Sequence, residues 1–158
     1  MSIIGDDFPG MVVLALLGVV ILISRGRRDF ALFLALAAAL RAIGPGLKVL
    51  INSPRPTLET VVIVAQANGL GFPSGHAMGA ALFYGAIAFI APQAIRDRAL
   101  ARGVQWLAAV MMILIALARV RLGVHWPSDV VGGLLFGLAI VCGLWAGMVA
   151  WQRRGRER

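Results

Sequence analysis

The stretch ARVRLGVHWPSD, residues 118–129, lies between two long apolar runs and holds four side chains that can carry charge at neutral pH: Arg119, Arg121, Asp129 and, when protonated, His125. The flanking runs, residues 104–118 and 127–151, are apolar around nearly their whole circumference, and the chain of 158 residues is 60% hydrophobic, with a mean hydropathy of +0.89. A soluble core of this size has no use for so much apolar surface. The two runs therefore read as membrane-spanning helices, and the stretch between them as a polar corner at a membrane face.

Working outward, three more runs read as spans. The first covers residues 9–24, with Asp7 as a possible N-cap and Pro9 in the first turn, and ends in Arg25-Gly26-Arg27-Arg28. The second covers residues 30–51 and is interrupted by Arg41 and then by Gly44-Pro45-Gly46, which is expected to kink or end the helix and leave Lys48 near a membrane surface. The third starts near Ser74 and ends near Pro92. Between the second and third lies the rigid turn Asn52-Ser53-Pro54-Arg55-Pro56, then an apolar stretch, residues 60–67, too short to cross as a helix and expected to lie along the interface near 60–70. The expectation is an all-α, polytopic membrane bundle of about five transmembrane helices, forming a single domain over residues 1–158. Gly79, Ala80, Gly132, Gly133 and Gly137 allow close helix approach. Cys142 is the only cysteine, so no intrachain disulfide or thiolate metal cluster is available. The acidic N-terminus and the lack of a small-residue cleavage site speak against a cleaved signal peptide.

A net charge of +8 raises nucleic acid as a partner, but the placement of the charge removes it. Arg25, Arg27 and Arg28 fall in the first connection, Arg96, Arg98 and Arg102 in the third, and Arg153, Arg154, Arg156 and Arg158 after the last span. With five crossings these sites share one side, which the positive-inside rule makes the cytoplasm, with the N-terminus outside and the C-terminus inside. Arg41, Lys48, Arg55, Arg119 and Arg121 sit on or toward the outer face, where that rule gives no reason for them.

Three polar clusters converge on that outer side: Lys48 to Pro56, Pro73-Ser74-Gly75-His76, and Arg119 to Asp129, with both histidines of the chain among them. Fixed cations without a carboxylate cluster suit phosphate, whose oxygens accept guanidinium and ammonium donors, and not a metal ion. Ser74 and Gly75 open the third span, where backbone N–H groups lack intrahelical partners at the positive end of the helix dipole. His125 and Asp129 are four apart, so a helix starting near Pro127 lets the carboxylate fix one imidazole nitrogen and leave the other as a nucleophile. A lone membrane histidine is more often a packed polar residue than a catalyst; it is the three clusters together that turn the reading toward chemistry.

Lys-x6-Arg-Pro, Pro-Ser-Gly-His and Arg-x5-His-x3-Asp, in this order, resemble the signature of the type 2 phosphatidic acid phosphatase and vanadium haloperoxidase superfamily. About ten positions are specified, each met by chance about once in twenty. The motifs run from Lys48 to Asp129, and Ala118 stands where the third motif commonly has serine. Many membrane members have six spans; five here is consistent with a missing first helix. The resemblance implies that His125 attacks phosphorus to give a phosphohistidine, that Asp129 orients it, and that His76 protonates the leaving oxygen and then helps activate water. It further implies that Lys48, Arg55, Ser74, Gly75 and Arg119 hold the phosphoryl oxygens, with no metal and no cofactor.

The function expected from the resemblance is a membrane lipid phosphatase opening at the outer face of a bacterial cytoplasmic membrane, where a lipid enters sideways from the bilayer. Its substrates include undecaprenyl or another polyprenyl diphosphate, slightly preferred, phosphatidate and phosphatidylglycerophosphate. Competing readings are a lipid phosphotransferase or vanadate-dependent oxidase on the same site, or a non-catalytic transporter or scaffold for anionic lipid. Arg121 is weighed as headgroup contact or as holder of a second phosphate, Arg41 as a snorkelling residue or one that satisfies exposed carbonyls.

Overall fold

Helix ends explain why the chain turns where it does. In the computed structural model, which describes residues 9–65 and 67–157, six α-helices and no strand occur among the described residues. Asp7, the expected N-cap, together with Gln66 and Arg158 lies outside them. The helices are α1 (Pro9–Ser24), α2 (Arg28–Ala39), α3 (Ile43–Ile51), α4 (Gly75–Ala94), α5 (Arg98–Arg121) and α6 (Pro127–Arg156). Both α1 and α5 end in Schellman caps with glycine in the left-handed region. Gly26 has φ 71° and bonds to Ile23 O while Arg27 N donates to Leu22 O; Gly123 has φ 70° and bonds to Val120 O while Val124 N donates to Arg119 O. Asp97 caps α5 by accepting from Ala99 N and Leu100 N at 2.8 and 3.0 Å.

Four helical stretches among the described residues are long and apolar enough to cross a membrane: Arg28–Ile51, Gly75–Ala94, Arg98–Arg121 and Pro127–Gly155. At 16 residues, α1 is shorter, about 24 Å against a hydrocarbon core of about 30 Å. Three expected boundaries move. α5 runs well past 104–118 at both ends, and α6 continues beyond Trp151, because arginines at a helix end do not stop the backbone ladder. The interruption of the second span falls at residues 40–42, a 3₁₀ turn, and not at Gly44-Pro45-Gly46, which lies inside α3. Pro45 sits in the first turn of α3, where its missing N–H is harmless, but its ring opposes the carbonyl four residues back, at Arg41. The break is therefore displaced one turn toward the N-terminus.

The central rod is α4, with Ala77 to Leu82 essentially inaccessible. It packs on α6 through a Gly-x3-Gly pair: a Cβ on Gly133 would lie 2.6 Å from Ser74 O, and one on Gly137 2.6 Å from Ala81 Cβ and 2.7 Å from Met78 O. Lipid supplies no hydrophobic drive between helices, so this close van der Waals fit does the work. Farther from the polar corner, Phe30, Phe33 and Phe89 pack around Trp145. At that same end Arg27 donates to Gln93 O at 2.8 Å and Gln152 donates to Asp29 at 2.6 Å, so the α1–α2 turn, the α4–α5 turn and the end of α6 lie together.

Gly137→Val is expected to destabilise the bundle by about 1–3 kcal/mol through overpacking, read as earlier thermal loss of monodispersity in detergent. Gly143→Val, where a Cβ meets nothing within 4 Å, serves as the control; equal behaviour of the two variants contradicts the tight seam.

Candidate active site

The spacing of the third motif is the geometry of one corner. Arg119 is the residue whose carbonyl closes the Schellman cap of α5, Gly123 is its left-handed residue, and His125 follows two positions later. Pro127 then starts α6, and Asp129, in its first turn, reaches back to accept from Trp126 N at 3.0 Å. That same oxygen, Oδ2, lies 3.3 Å from His125 Nδ1. Both side chains are buried, His125 2% and Asp129 1% exposed.

Opposite Asp129 on the imidazole, Arg55 Nη1 lies 3.2 Å from His125 Nε2. A guanidinium only donates, so Nε2 accepts here and, in the neutral ring, the proton sits on Nδ1 facing Asp129. This leaves the Nε2 lone pair pointing at a cation that a phosphate can take over. Arg55 is itself held by carbonyls, with Nη1 donating to Val124 O at 2.8 Å and Nε to Gly69 O at 3.2 Å.

The second histidine enters from α4. His76, 8% exposed, has Nε2 3.5 Å from Arg119 Nη1, so the last turn of α5 and the first turn of α4 meet across the corner. Ser74 is wholly buried and its N–H donates to Asp129 O at 2.9 Å, tying the start of α4 to the first turn of α6. Its hydroxyl has no hydrogen-bond partner among the described residues, a state that suits an incoming oxygen. At Gly75 an added Cβ would meet nothing within 4 Å, so the backbone there faces open space. Lys48, in the last turn of α3, is half-buried and, like Arg55, within electrostatic reach of the Asp129 carboxylate.

All eight expected residues thus belong to one neighbourhood built from α3, the turn after it, α4, α5 and α6. Arg121 is set apart from these eight: it is exposed and two residues beyond Arg119 on a helix, about 200° round the axis. Unforeseen in the sequence is how the segment after α3, residues 53–65 and 67–71, docks. Gly71 N donates to Ser53 O and Val64 N to Leu122 O, and Gly123 lies so close that a Cβ there would stand 2.4 Å from Val62 O. Residues 61–65 are irregular and dock on the α5–α6 corner; Gly123, two residues before His125, was the available signal.

This is a cationic recess with two imidazoles, and among the described residues no group of three or more His, Cys, Asp or Glu side chains is placed to hold a metal ion. Residues 28–153 match the PAP2 superfamily. The chain belongs to that superfamily. Among its relatives, it is 32% identical over 113 residues to phosphatidylglycerophosphatase B of Bacillus subtilis, covering 71% of this chain and 54% of the relative. It is 33% identical over 144 residues to decaprenylphosphoryl-5-phosphoribose phosphatase of Mycobacterium tuberculosis, covering 89% of this chain and 72% of the relative. The PAP2 fold is also that of the transmembrane PAP2-type phosphatidylglycerolphosphate phosphatase from Bacillus subtilis, whose crystal structure matches with a TM-score of 0.75 at 26% identity, over 94% of this chain and 72% of that one. The chain thus spans about half the length of one curated relative and nearly three quarters of the other. With its apolar spans and this PAP2 architecture, it is an integral membrane protein.

Proposed function

We propose that this protein is a metal-independent lipid phosphatase, forming a single domain, that removes the terminal phosphate of a membrane lipid by way of a phosphohistidine. The observation that carries the reading is the chain Arg55–His125–Asp129, with the imidazole held between a donor and a carboxylate. His125 Nε2 attacks phosphorus as the bond to the leaving oxygen breaks, and His76 gives that oxygen a proton. Water then attacks the phosphohistidine, His76 takes its proton, and inorganic phosphate and free His125 result. Lys48, Arg55, Arg119, the Ser74 hydroxyl and the backbone at Gly75 hold the phosphoryl oxygens, whose spread negative charge is what needs stabilising in phosphoryl transfer.

In this proposal the corner faces the outside of a bacterial cytoplasmic membrane. Support comes from the arginines of the α1–α2 turn, the α4–α5 turn and the end of α6, which lie at the opposite end of the bundle from the recess. The proposed substrate is a polyprenyl diphosphate. An outer-face site with lateral access suits such a carrier, and one relative is named for a decaprenyl-linked phosphate.

The test is phosphate release by purified protein in EDTA from undecaprenyl diphosphate, phosphatidate and phosphatidylglycerophosphate. Release from at least one is expected. Silence on all three overturns the phosphatase reading, release only with added divalent metal overturns metal independence, and a new phospholipid in place of free phosphate identifies a transferase.

A further inference from the structure

One cation lies near the recess but outside the roles given above. Arg41 is in the 3₁₀ turn between α2 and α3, half-buried within a stretch long and apolar enough to cross a membrane. A guanidinium at such depth is expensive unless it faces protein or a polar cavity, and is a functional position by default. Here its side chain lies on α4. A Cβ added to Gly79 would stand 3.3 Å from Arg41 Nε and 3.4 Å from Arg41 Cδ, so the glycine admits the arginine against the helix.

Gly79 follows His76 by three residues and Gly75 by four, which puts all three on one face of α4. Arg41 therefore meets that face about one turn, roughly 5 Å, farther into the membrane than His76 and the open space at Gly75. Along its own rod Arg41 precedes Lys48 by seven residues, so the two cations sit about two turns apart.

We infer that Arg41 binds a second phosphate, the one that leaves with the lipid, and so makes lipid diphosphates the preferred substrate class. The inference rests on the phosphatase reading above. With the terminal phosphate against His125, the leaving oxygen faces His76, and the lipid tail has to run into the bilayer. Whatever joins the terminal phosphate to the tail then lies on the membrane side of His76, where Arg41 is. In a lipid monophosphate that place holds an alkyl carbon and gives a guanidinium nothing to bind. In a diphosphate it holds a phosphate: the His125 Nε2–P bond forms, the bridging P–O bond breaks, and the bridging oxygen leaves on the lipid monophosphate with the proton from His76. Arg41 stabilises the charge on that departing group.

The experiment compares kcat/KM for a polyprenyl diphosphate and the matching monophosphate in wild type, Arg41→Gln and Arg41→Lys, and the inhibition of each protein by inorganic pyrophosphate and orthophosphate. In Arg41→Gln the diphosphate-to-monophosphate ratio is expected to fall by about tenfold or more, as loss of a charged hydrogen bond implies, with partial recovery in Arg41→Lys. Pyrophosphate inhibition weakens more than orthophosphate inhibition, and this is the readout if wild type turns over only the diphosphate. An unchanged ratio, with both substrates slowed alike, makes Arg41 a scaffold residue and overturns the inference. If Arg41→Gln does not fold, Arg41→Lys and wild type decide: equal inhibition of wild type by pyrophosphate and orthophosphate overturns it. A wild type active on the monophosphate and inactive on the diphosphate refutes the inference and leaves the phosphatase reading standing; a wild type inactive on both refutes both.

Discussion

His125→Ala is expected to lower phosphate release by about 10⁴-fold or more, equivalent to about 5 kcal/mol of lost transition-state stabilisation. The ring supplies the attacking nitrogen, and no other side chain occupies its place between Arg55 and Asp129. Folding is not expected to suffer comparably, since alanine removes the imidazole but leaves the Trp126 N–H bond to Asp129 and the Schellman cap of α5 intact. Steady-state turnover on whichever lipid is the best substrate, with thermal stability in detergent measured alongside, checks this. A residual rate within tenfold of wild type in a folded variant removes His125 from the chemistry.

The second large effect belongs to His76. His76→Ala is expected to slow turnover by about 10²–10⁴-fold, the range for loss of a positioned general acid. Its signature is dependence on the leaving group. An aryl phosphate, whose departing oxygen needs no proton, loses much less than a lipid alkyl phosphate. The pH profile carries the same information. Neutral His125 attacks and protonated His76 donates, so wild-type activity rises and then falls with pH, with apparent pKa values that belong to the pair. Removing His76 flattens the alkaline fall. Uniform loss across leaving groups, with both limbs kept, assigns His76 to packing against Arg119 and not to proton transfer.

Much of this was legible in the residues. Apolar runs located the helical rods, because a bilayer demands long stretches that satisfy their own backbone. The polar corner was legible because charge among apolar runs has to be explained by function. The Arg119, His125 and Asp129 spacing proved to be a helix cap followed by a helix start, and a reader of Gly123 and Pro127 can recover that from turn chemistry alone. Other features depend on contacts between segments distant in sequence. The displaced break at residues 40–42 follows from the Pro45 ring opposing a carbonyl one turn earlier, and charge at residues 98–102 and 119–121 hid the true length of α5. The packing of Trp145 among three phenylalanines, the docking of residues 61–65 on Gly123, and the approach of Arg41 to Gly79 are invisible until the helices are assembled. Arg121, beside Arg119 in sequence, leaves the helix about 200° away from it.

The most direct test is a single turnover with lipid substrate labelled in its terminal phosphate, quenched in alkali to preserve phosphohistidine and followed by peptide mapping. Transient label on the peptide containing His125, lost in His125→Ala, is the predicted result. Product formation with no protein-bound label at any time, or label on a residue other than His125, contradicts an imidazole poised against phosphorus in this recess.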